Sequence, residues 1–325
     1  MTADTDLEVA AARLAALLTG AATTLAEPGD SQLDFEPSVE LRPLRRGPVP
    51  AEVWAVDGGQ AVVADARCLQ LLVTRAARVR FAGGRCEEDE GPLRAVLLGG
   101  EDERAAAVRA LAVPGLRADS SVDINLLRDR WEWEAIERCV AEAAPGGLVL
   151  VDGDLQPDWR IPSRVLADLL ATAVERGVTL AGVTKHSSLS RGGAPLLGAL
   201  EIEAELTCGP RSMWWGPVAR TRHDVGGVQV VAARLDPDAR YAFRIDLPVG
   251  VDPEVALGAV AAVADDAAFP GYPYPLSVAD RLAACPGWLR ADIRLQLDDL
   301  FDRAGVPPEV RERAFADRHS LMERS

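Results

Sequence analysis

GLVLVDGDL, residues 147–155, is an apolar run that ends in an acidic residue. Such a run, without alternating polar positions, is typical of a strand buried on both faces of a sheet. EVWAVDGG, residues 52–59, has the same form, with an apolar strand followed by aspartate and glycine. Asp57 and Asp152 therefore end two predicted strands. In α/β sheets the carboxyl ends of strands face the crevice where ligands bind.

Two carboxylates at neighbouring strand ends repel each other unless a cation or a proton lies between them. The pattern therefore indicates a site that binds a cation. The alternative is that each aspartate is the first polar residue of an Asp-Gly turn.

The pattern around these two strands predicts an α/β protein. The strand, helix and strand that begin at residue 147 form a unit expected to be a right-handed parallel crossover. In chain order the predicted elements are a helix at 5–19, a linker to Pro50, three antiparallel strands at 52–57, 60–67 and 68–82, an acidic connection, a helix at 121–144, a strand at 147–155, a helix at 163–176, strands at 178–184, 228–235 and 241–248, and helices at 253–266, 277–285, 289–304 and 307–320.

Composition limits the function classes. The chain has 325 residues, 48% of them hydrophobic, and a formal net charge of −15, which excludes a disordered tail and a small disulfide scaffold. No apolar run reaches the roughly 18 residues that cross a bilayer. The N-terminus lacks the basic start of a secretory signal, so we expect a cytoplasmic protein.

The five cysteines are scattered without C-x-x-C spacing, which argues against a zinc site. The negative charge repels DNA, so a nucleic-acid role requires local arginines, cations or a partner.

The helix predicted at 121–144 carries two candidate acids. Glu132 shares its face with Ala135, Ile136 and Cys139, so it projects along an apolar stripe towards the sheet. Glu134 instead lies one turn from two arginines, as on a solvated face. Glu132 is the better inward carboxylate, and the alternative is an exposed residue on an irregular amphipathic helix.

The order of these acids, on a strand, a helix and a second strand, resembles the RNase H-like fold. Five segments in order resemble one family with that fold, the NurA nucleases. They are AVDGGQ (55–60), LLRDRWEWE (126–134), LVLVDGDL (148–155), GVTKHSSL (182–189) and GYPYPLSVADRLA (271–283). The resemblance covers about residues 50–285. It implies an RNase H-like mixed sheet flanked by helices, with a helix and linker at 1–50, a nuclease domain at 51–285 and a helical extension at 286–325.

The resemblance also implies a function. Members of this family are Mn²⁺-dependent DNA nucleases that form dimers and act in DNA end resection with the hexameric ATPase HerA. It implies a 5′ to 3′ exonuclease, with single-strand endonuclease activity as a further possibility, that uses two Mn²⁺ or Mg²⁺ ions. Carried over residue by residue, the family's acids match Asp57, Glu132 and Asp152, and its lysine matches Lys185.

The chain departs from the family pattern at three places. The family usually has D-G-S where this chain has Asp57-Gly58-Gly59 and where it has Asp152-Gly153-Asp154. The family's usual histidine falls on Asp280. An aspartate also binds a hard metal, so Asp280 is a fourth candidate ligand. The alternative is that Ser277-x-x-Asp280 is a capping box at a helix start.

Candidate DNA-binding residues surround these acids. Lys185, the one lysine of the chain, follows a predicted strand and is placed to contact the scissile phosphate, unless it is a surface loop residue. Arg128 lies one turn before Glu132. Arg211, Trp214 and Arg220 form a basic and aromatic patch that suits base stacking or, alternatively, packing against a neighbouring surface.

Three functions compete at this stage. The first is a metal-dependent DNA nuclease that uses Asp57, Glu132, Asp152, Lys185 and Asp280. The second is a catalytically weakened subunit that binds the ATPase and guides DNA. The third is an actin-like sugar kinase, which requires two duplicated halves where the sequence has one.

Overall fold

The computed structural model describes residues 2–28, 33–113, 116, 121–156, 160–221 and 226–316. The strands of this part of the chain are β1 (Leu25–Ala26), β2 (Leu33–Phe35), β3 (Arg42–Pro43), β4 (Glu52–Asp65), β5 (Gln70–Ala82), β6 (Arg85–Asp89), β7 (Arg94–Leu98), β8 (Leu148–Asp152), β9 (Thr179–Thr184), β10 (Ser190–Arg191), β11 (Ala194–Pro195), β12 (Trp214–Thr221), β13 (Val228–Arg234) and β14 (Phe243–Pro248). The helices are α1 (Thr2–Thr19), α2 (Glu101–Leu111), α3 (Ile124–Glu142), α4 (Ser163–Glu175), α5 (Leu196–Thr207), α6 (Pro253–Ala261), α7 (Tyr274–Ala283), α8 (Gly287–Arg303) and α9 (Pro308–Phe315).

Most of these strands form one mixed sheet with the order β2-β12-β13-β14-β9-β8-β4-β5-β6. The strands β4, β8 and β9 are parallel neighbours, and β4 and β9 pair antiparallel with β5 and β14. The predicted mixed sheet flanked by helices is confirmed. The described residues contain one sheet of this kind, so they do not include the duplicated halves of an actin-like kinase.

The first two strands predicted from sequence are a single strand. β4 is 14 residues long and pairs with β5 from Glu52 to Asp65, with one shift of register between Val62 and Ala64. Gly58 and Gly59 lie within this strand and are not a turn between two strands. The acidic connection predicted after β5 also differs, because it contains β6, β7 and the helix α2.

The two faces of the sheet pack against different helices. Val56, Val149 and Val151 belong to the core that contains α3, whereas Ala55 and Leu150 belong to the core that contains α6 and α7. Because successive side chains of a strand point to opposite faces, the residues that follow Ala55 and Leu150 by two positions lie on the α7 side. These residues are Asp57 and Asp152.

The N-terminal segment contributes edge strands. The sequence predicts a linker up to Pro50, but β2 and β3 pair with β12 and β1 pairs with β10. At the other end of the chain, α8 and α9 have no buried residue. Among the described residues, no helix combines the length and the hydropathy needed to cross a bilayer.

Candidate metal centre

Three carboxylates meet at the carboxyl end of β8, beside the middle of β4. Asp57, Asp152 and Asp280 each place an oxygen so that all three oxygens lie within 4.8 Å of one another. The first two follow apolar stretches of their strands, and Asp280 is on the second turn of α7. That helix begins at Tyr274, so the alternative in which Asp280 belongs to a capping box at a helix start is wrong.

The glycines after Asp57 allow two helices to approach this strand. A Cβ atom at Gly58 would lie 2.8 Å from Oε2 of Glu132, and one at Gly59 would lie 1.7 Å from the carbonyl oxygen of Ala283. Gly58 therefore makes room for α3 and Gly59 makes room for the end of α7. The second contact explains why the serine that the family usually has at this position is absent here.

Lys185 joins the acidic cluster. Its Nζ lies 2.6 Å from Oδ2 of Asp152 and 3.5 Å from Oδ1 of Asp280. The same ammonium lies 4.9 Å from the centroid of the Tyr272 ring, a cation–π contact. The position predicted for Lys185, near the acids, is correct. The contact between Tyr272 and Lys185 had no signal in the sequence.

Glu132 lies beside this cluster and outside it. Its side chain is 11% exposed, and its carboxylate is 3.9 Å from Nε of Arg128. It approaches Asp57 from the α3 side, past Gly58, and is not one of the three carboxylates that share the 4.8 Å spacing. The inward orientation predicted for Glu132 is therefore correct. Glu134, predicted to lie on a solvated ion-pair face, makes an ion pair with Arg94.

Burial and mutual repulsion change the protonation of the acids. Burial, together with the charge of Asp152, raises the pKa of Asp57 to about 8. Burial and the charge of Asp57 raise the pKa of Glu132 well above its ordinary range. Burial opposes the charge of Lys185, but the hydrogen bond and charge of Asp152 outweigh this effect and raise the pKa of Lys185. The site thus concentrates more negative charge than its single ammonium neutralises.

The remaining candidate DNA-binding residues lie elsewhere, on or near β12. This strand is separated from β8 by β13, β14 and β9. Trp214 is 1% exposed, so its ring is packed in the core and offers no face to a base. Arg211 forms an ion pair with Asp238, and Arg220 forms one with Glu36. Of the basic residues singled out from sequence, Lys185 and Arg128 are at the acidic cluster.

The three-carboxylate cluster fits a hard divalent cation. Its donors are all oxygens, which Mg²⁺ and Mn²⁺ prefer over sulfur ligands. They come from elements distant in sequence and converge at the end of a sheet. The high pKa of Asp57 shows that the metal-free cluster favours a bound proton, which a cation would replace.

No family model and no curated protein matches the chain. Solved structures do match. The NurA nuclease from Sulfolobus solfataricus matches with a TM-score of 0.53 and 13% identity, over 82% of this chain and 88% of that chain. Another structure of NurA matches with a TM-score of 0.42 and 9% identity, over 73% of this chain and 86% of that one. The catalytic domain of human endonuclease V matches with a TM-score of 0.38 and 13% identity, over 81% and 92%.

The first of these similarities extends over most of both chains. At 13% identity it concerns the course of the backbone. The mixed sheet, its flanking helices and the predicted resemblance agree with it. The protein therefore has the fold of the Sulfolobus solfataricus NurA nuclease.

Proposed function

We propose that the protein is a metal-dependent deoxyribonuclease whose active centre is the cluster of Asp57, Asp152 and Asp280 with Lys185. The observation that carries the proposal is the convergence of three carboxylate oxygens within 4.8 Å at the end of the sheet. The similarity in fold to a structure described as a nuclease supports it. In this proposal the three aspartates hold the cation, and Glu132, which lies outside their set, is a further ligand that approaches from the α3 side.

A hard divalent cation held by Asp57, Asp152 and Asp280 would supply Lewis acidity for in-line phosphoryl displacement. The side chains of this chain orient the substrate. The side chain of Lys185 is 39% exposed, so its ammonium can donate a hydrogen bond to a phosphate oxygen that approaches from solvent. Arg128 on α3, next to Gly58, offers a second positive charge for the phosphodiester.

Glu132 favours its protonated form in the metal-free protein. Burial and the charge of Asp57 raise the pKa of its carboxyl well above the ordinary range. The positive charge of Arg128, whose Nε is 3.9 Å away, opposes this effect and holds the carboxyl against β4. We assign Glu132 the role of a metal ligand that ionises when a cation is bound.

The finer parts of the proposal come from the sequence resemblance. They are the use of two Mn²⁺ or Mg²⁺ ions, 5′ to 3′ exonuclease activity with single-strand endonuclease activity as an addition, homodimer formation, and action with a HerA-type ATPase in DNA end resection in the cytoplasm. The net charge of −15 supports a partner that delivers the DNA.

The test is cleavage of end-labelled single-stranded DNA by the purified protein in Mn²⁺. We expect cleavage by the natural protein and none by Asp57→Asn. Asp299→Asn, which changes an exposed acid on α8, is the matched control and should cleave normally. Labels at the 5′ and 3′ ends, read separately, give the polarity of digestion.

A second candidate function is the weakened subunit that guides DNA for its ATPase. Two observations favour it. Glu132 lies outside the three-carboxylate set, and Lys185 is bound to Asp152 at 2.6 Å, where its charge competes with a cation. The absence of cleavage in Mn²⁺, with retained binding to a HerA-type ATPase, would establish this function in place of the first.

A further inference from the structure

A buried guanidinium lies on β14, which is separated from β8 by β9. Arg244 is 1% exposed and Asp246 is completely buried. Their side chains form a two-point ion pair, with Nε to Oδ1 at 2.7 Å and Nη2 to Oδ2 at 3.0 Å. Burying two charges is costly unless further hydrogen bonds satisfy them. The further partners of this pair therefore indicate what it holds in place.

One set of partners belongs to the segment that follows Asp152. Oδ2 of Asp246 accepts a hydrogen bond from the backbone N–H of Leu155 at 3.2 Å. The carboxylate of Asp154 lies 3.9 Å from Nη1 of Arg244. This contact also gives a reason for the aspartate that stands where the family usually has serine. The buried pair thus holds the segment directly after a proposed metal ligand.

The other set of partners leads to the segment that follows Lys185. Nη1 of Arg244 donates to Oε1 of Glu27 at 2.7 Å, and the same oxygen accepts a hydrogen bond from Oγ of Ser188 at 2.7 Å. Next to Glu27, β1 pairs with β10, with Ala26 opposite Ser190. The N-terminal segment therefore contacts the residues that follow Lys185, through Glu27 and β1.

We propose that Arg244 is a positioning residue that couples the segment after Asp152 to the segment after Lys185, with Glu27 as the connecting side chain. This inference rests on the proposed nuclease function. A guanidinium suits the role because its planar fork donates to several acceptors in fixed directions, which an ammonium does not. The coupling keeps the carboxylate of Asp152 and the ammonium of Lys185 at their contact distance.

The test uses two variants and one control. Arg244→Met with Asp246→Leu replaces the ion pair by apolar groups, and Glu27 keeps its hydrogen bond from Ser188. Glu27→Ala leaves the Arg244–Asp246 ion pair in place and removes the two hydrogen bonds through which Glu27 joins Arg244 to Ser188. Asp298→Asn is the control, because it changes the Asp298–Arg311 ion pair between α8 and α9, outside both segments.

The first measurement is steady-state cleavage of single-stranded DNA in Mn²⁺. We expect both variants to lose about 10- to 100-fold in kcat, the range found for outer partners of metal ligands, with KM changed less than twofold. Arg244→Lys should not restore kcat, whereas Glu27→Gln, which keeps an oxygen for Ser188, should restore part of it. Unchanged kcat in both variants would overturn the proposal.

The second measurement, amide hydrogen exchange without DNA or metal, does not depend on activity. We expect the double variant to exchange faster at both 153–156 and 185–191, and the control to match the natural protein at both. Faster exchange at 153–156 alone would overturn the coupling. If the double variant does not fold, the Glu27→Ala variant tests the coupling by itself. We expect it to exchange faster than the natural protein at 185–191. Lack of cleavage by the natural protein would instead count against the nuclease function, and the exchange result would still stand.

Discussion

Gly59 and Ala283 are in direct contact, because a Cβ atom at Gly59 would lie 1.7 Å from the carbonyl oxygen of Ala283. The carbonyl is held in place by Arg75, whose Nε donates to it at 3.2 Å while Nη2 donates to the carbonyl of Ala284 at 2.6 Å. The end of α7 is therefore fixed against β4, and this contact sets where Asp280 lies relative to Asp57.

Gly59→Ala should therefore destabilise the protein by about 1–3 kcal/mol, the usual cost of overpacking a well-packed site, and should also lower Mn²⁺ affinity because α7 must shift. Gly198→Ala is the matched control, since a Cβ at this position in α5 meets nothing within 4 Å. Alanine is the better helix former, so the control should be neutral or more stable. Chemical denaturation and Mn²⁺ titration measure both effects. Equal stability of the two variants would contradict the packing described here.

Substitutions at position 280 test whether Asp280 is a metal ligand. Asp280→Asn should lower Mn²⁺-dependent cleavage by at least about 100-fold, more than is typical for outer partners of metal ligands. Asp280→His, which introduces the residue usual in the family, should retain activity because imidazole also binds Mn²⁺. Rates at saturating Mn²⁺ measure both variants. Normal cleavage by Asp280→Asn would remove this residue from the site.

The pH dependence of stability follows from Asp57. Because its pKa rises from about 3.8 to about 8 on folding, the folded protein binds more protons than the unfolded chain between these values. The contribution of Asp57 to the free energy of unfolding of the metal-free protein should therefore fall as pH rises from about 4 to about 8. Asp57→Asn should reduce this slope, and its stability advantage over the natural protein should grow with pH. Denaturant titrations across this pH range measure the free energy of unfolding of both proteins. Identical slopes against pH would contradict the raised pKa of Asp57.

The role of Trp214 can be decided by comparing two substitutions. Since its ring is buried, Trp214→Ala should cost about 3–5 kcal/mol of folding stability. Trp214→Phe should leave single-stranded DNA affinity unchanged, whereas Lys185→Ala should weaken it. Fluorescence anisotropy with labelled DNA at low salt measures affinity. If Trp214→Phe lost DNA affinity without a change in stability, the result would support stacking of bases on Trp214 and contradict its role in the core.

Strands buried on both faces could be predicted from the sequence. β8 and β9 are continuous apolar runs, and the acids Asp57 and Asp152 stand out because they end such runs. Glu132 could be predicted to point inward from its spacing on one helix. These signals are local, and each depends only on the residues within one element.

Features that depend on contacts between distant elements could not be predicted. Gly58 and Gly59 have the sequence of a turn, but they allow α3 and α7 to approach one continuous strand. The strands β2 and β3 are too short to show a period. Arg244 and Asp246 alternate with apolar residues like the exposed face of a strand, and only the fold covers them with the N-terminal segment.

The central claim is that Asp57, Asp152 and Asp280 together hold a divalent cation. Anomalous diffraction from a crystal soaked in Mn²⁺ tests it most directly, because the Mn²⁺ signal locates the ion independently of the protein. We predict a peak bonded to oxygens of these three residues, with the ammonium of Lys185 displaced from Asp152. The absence of a peak there at saturating Mn²⁺, with Lys185 still bound to Asp152, would contradict the account.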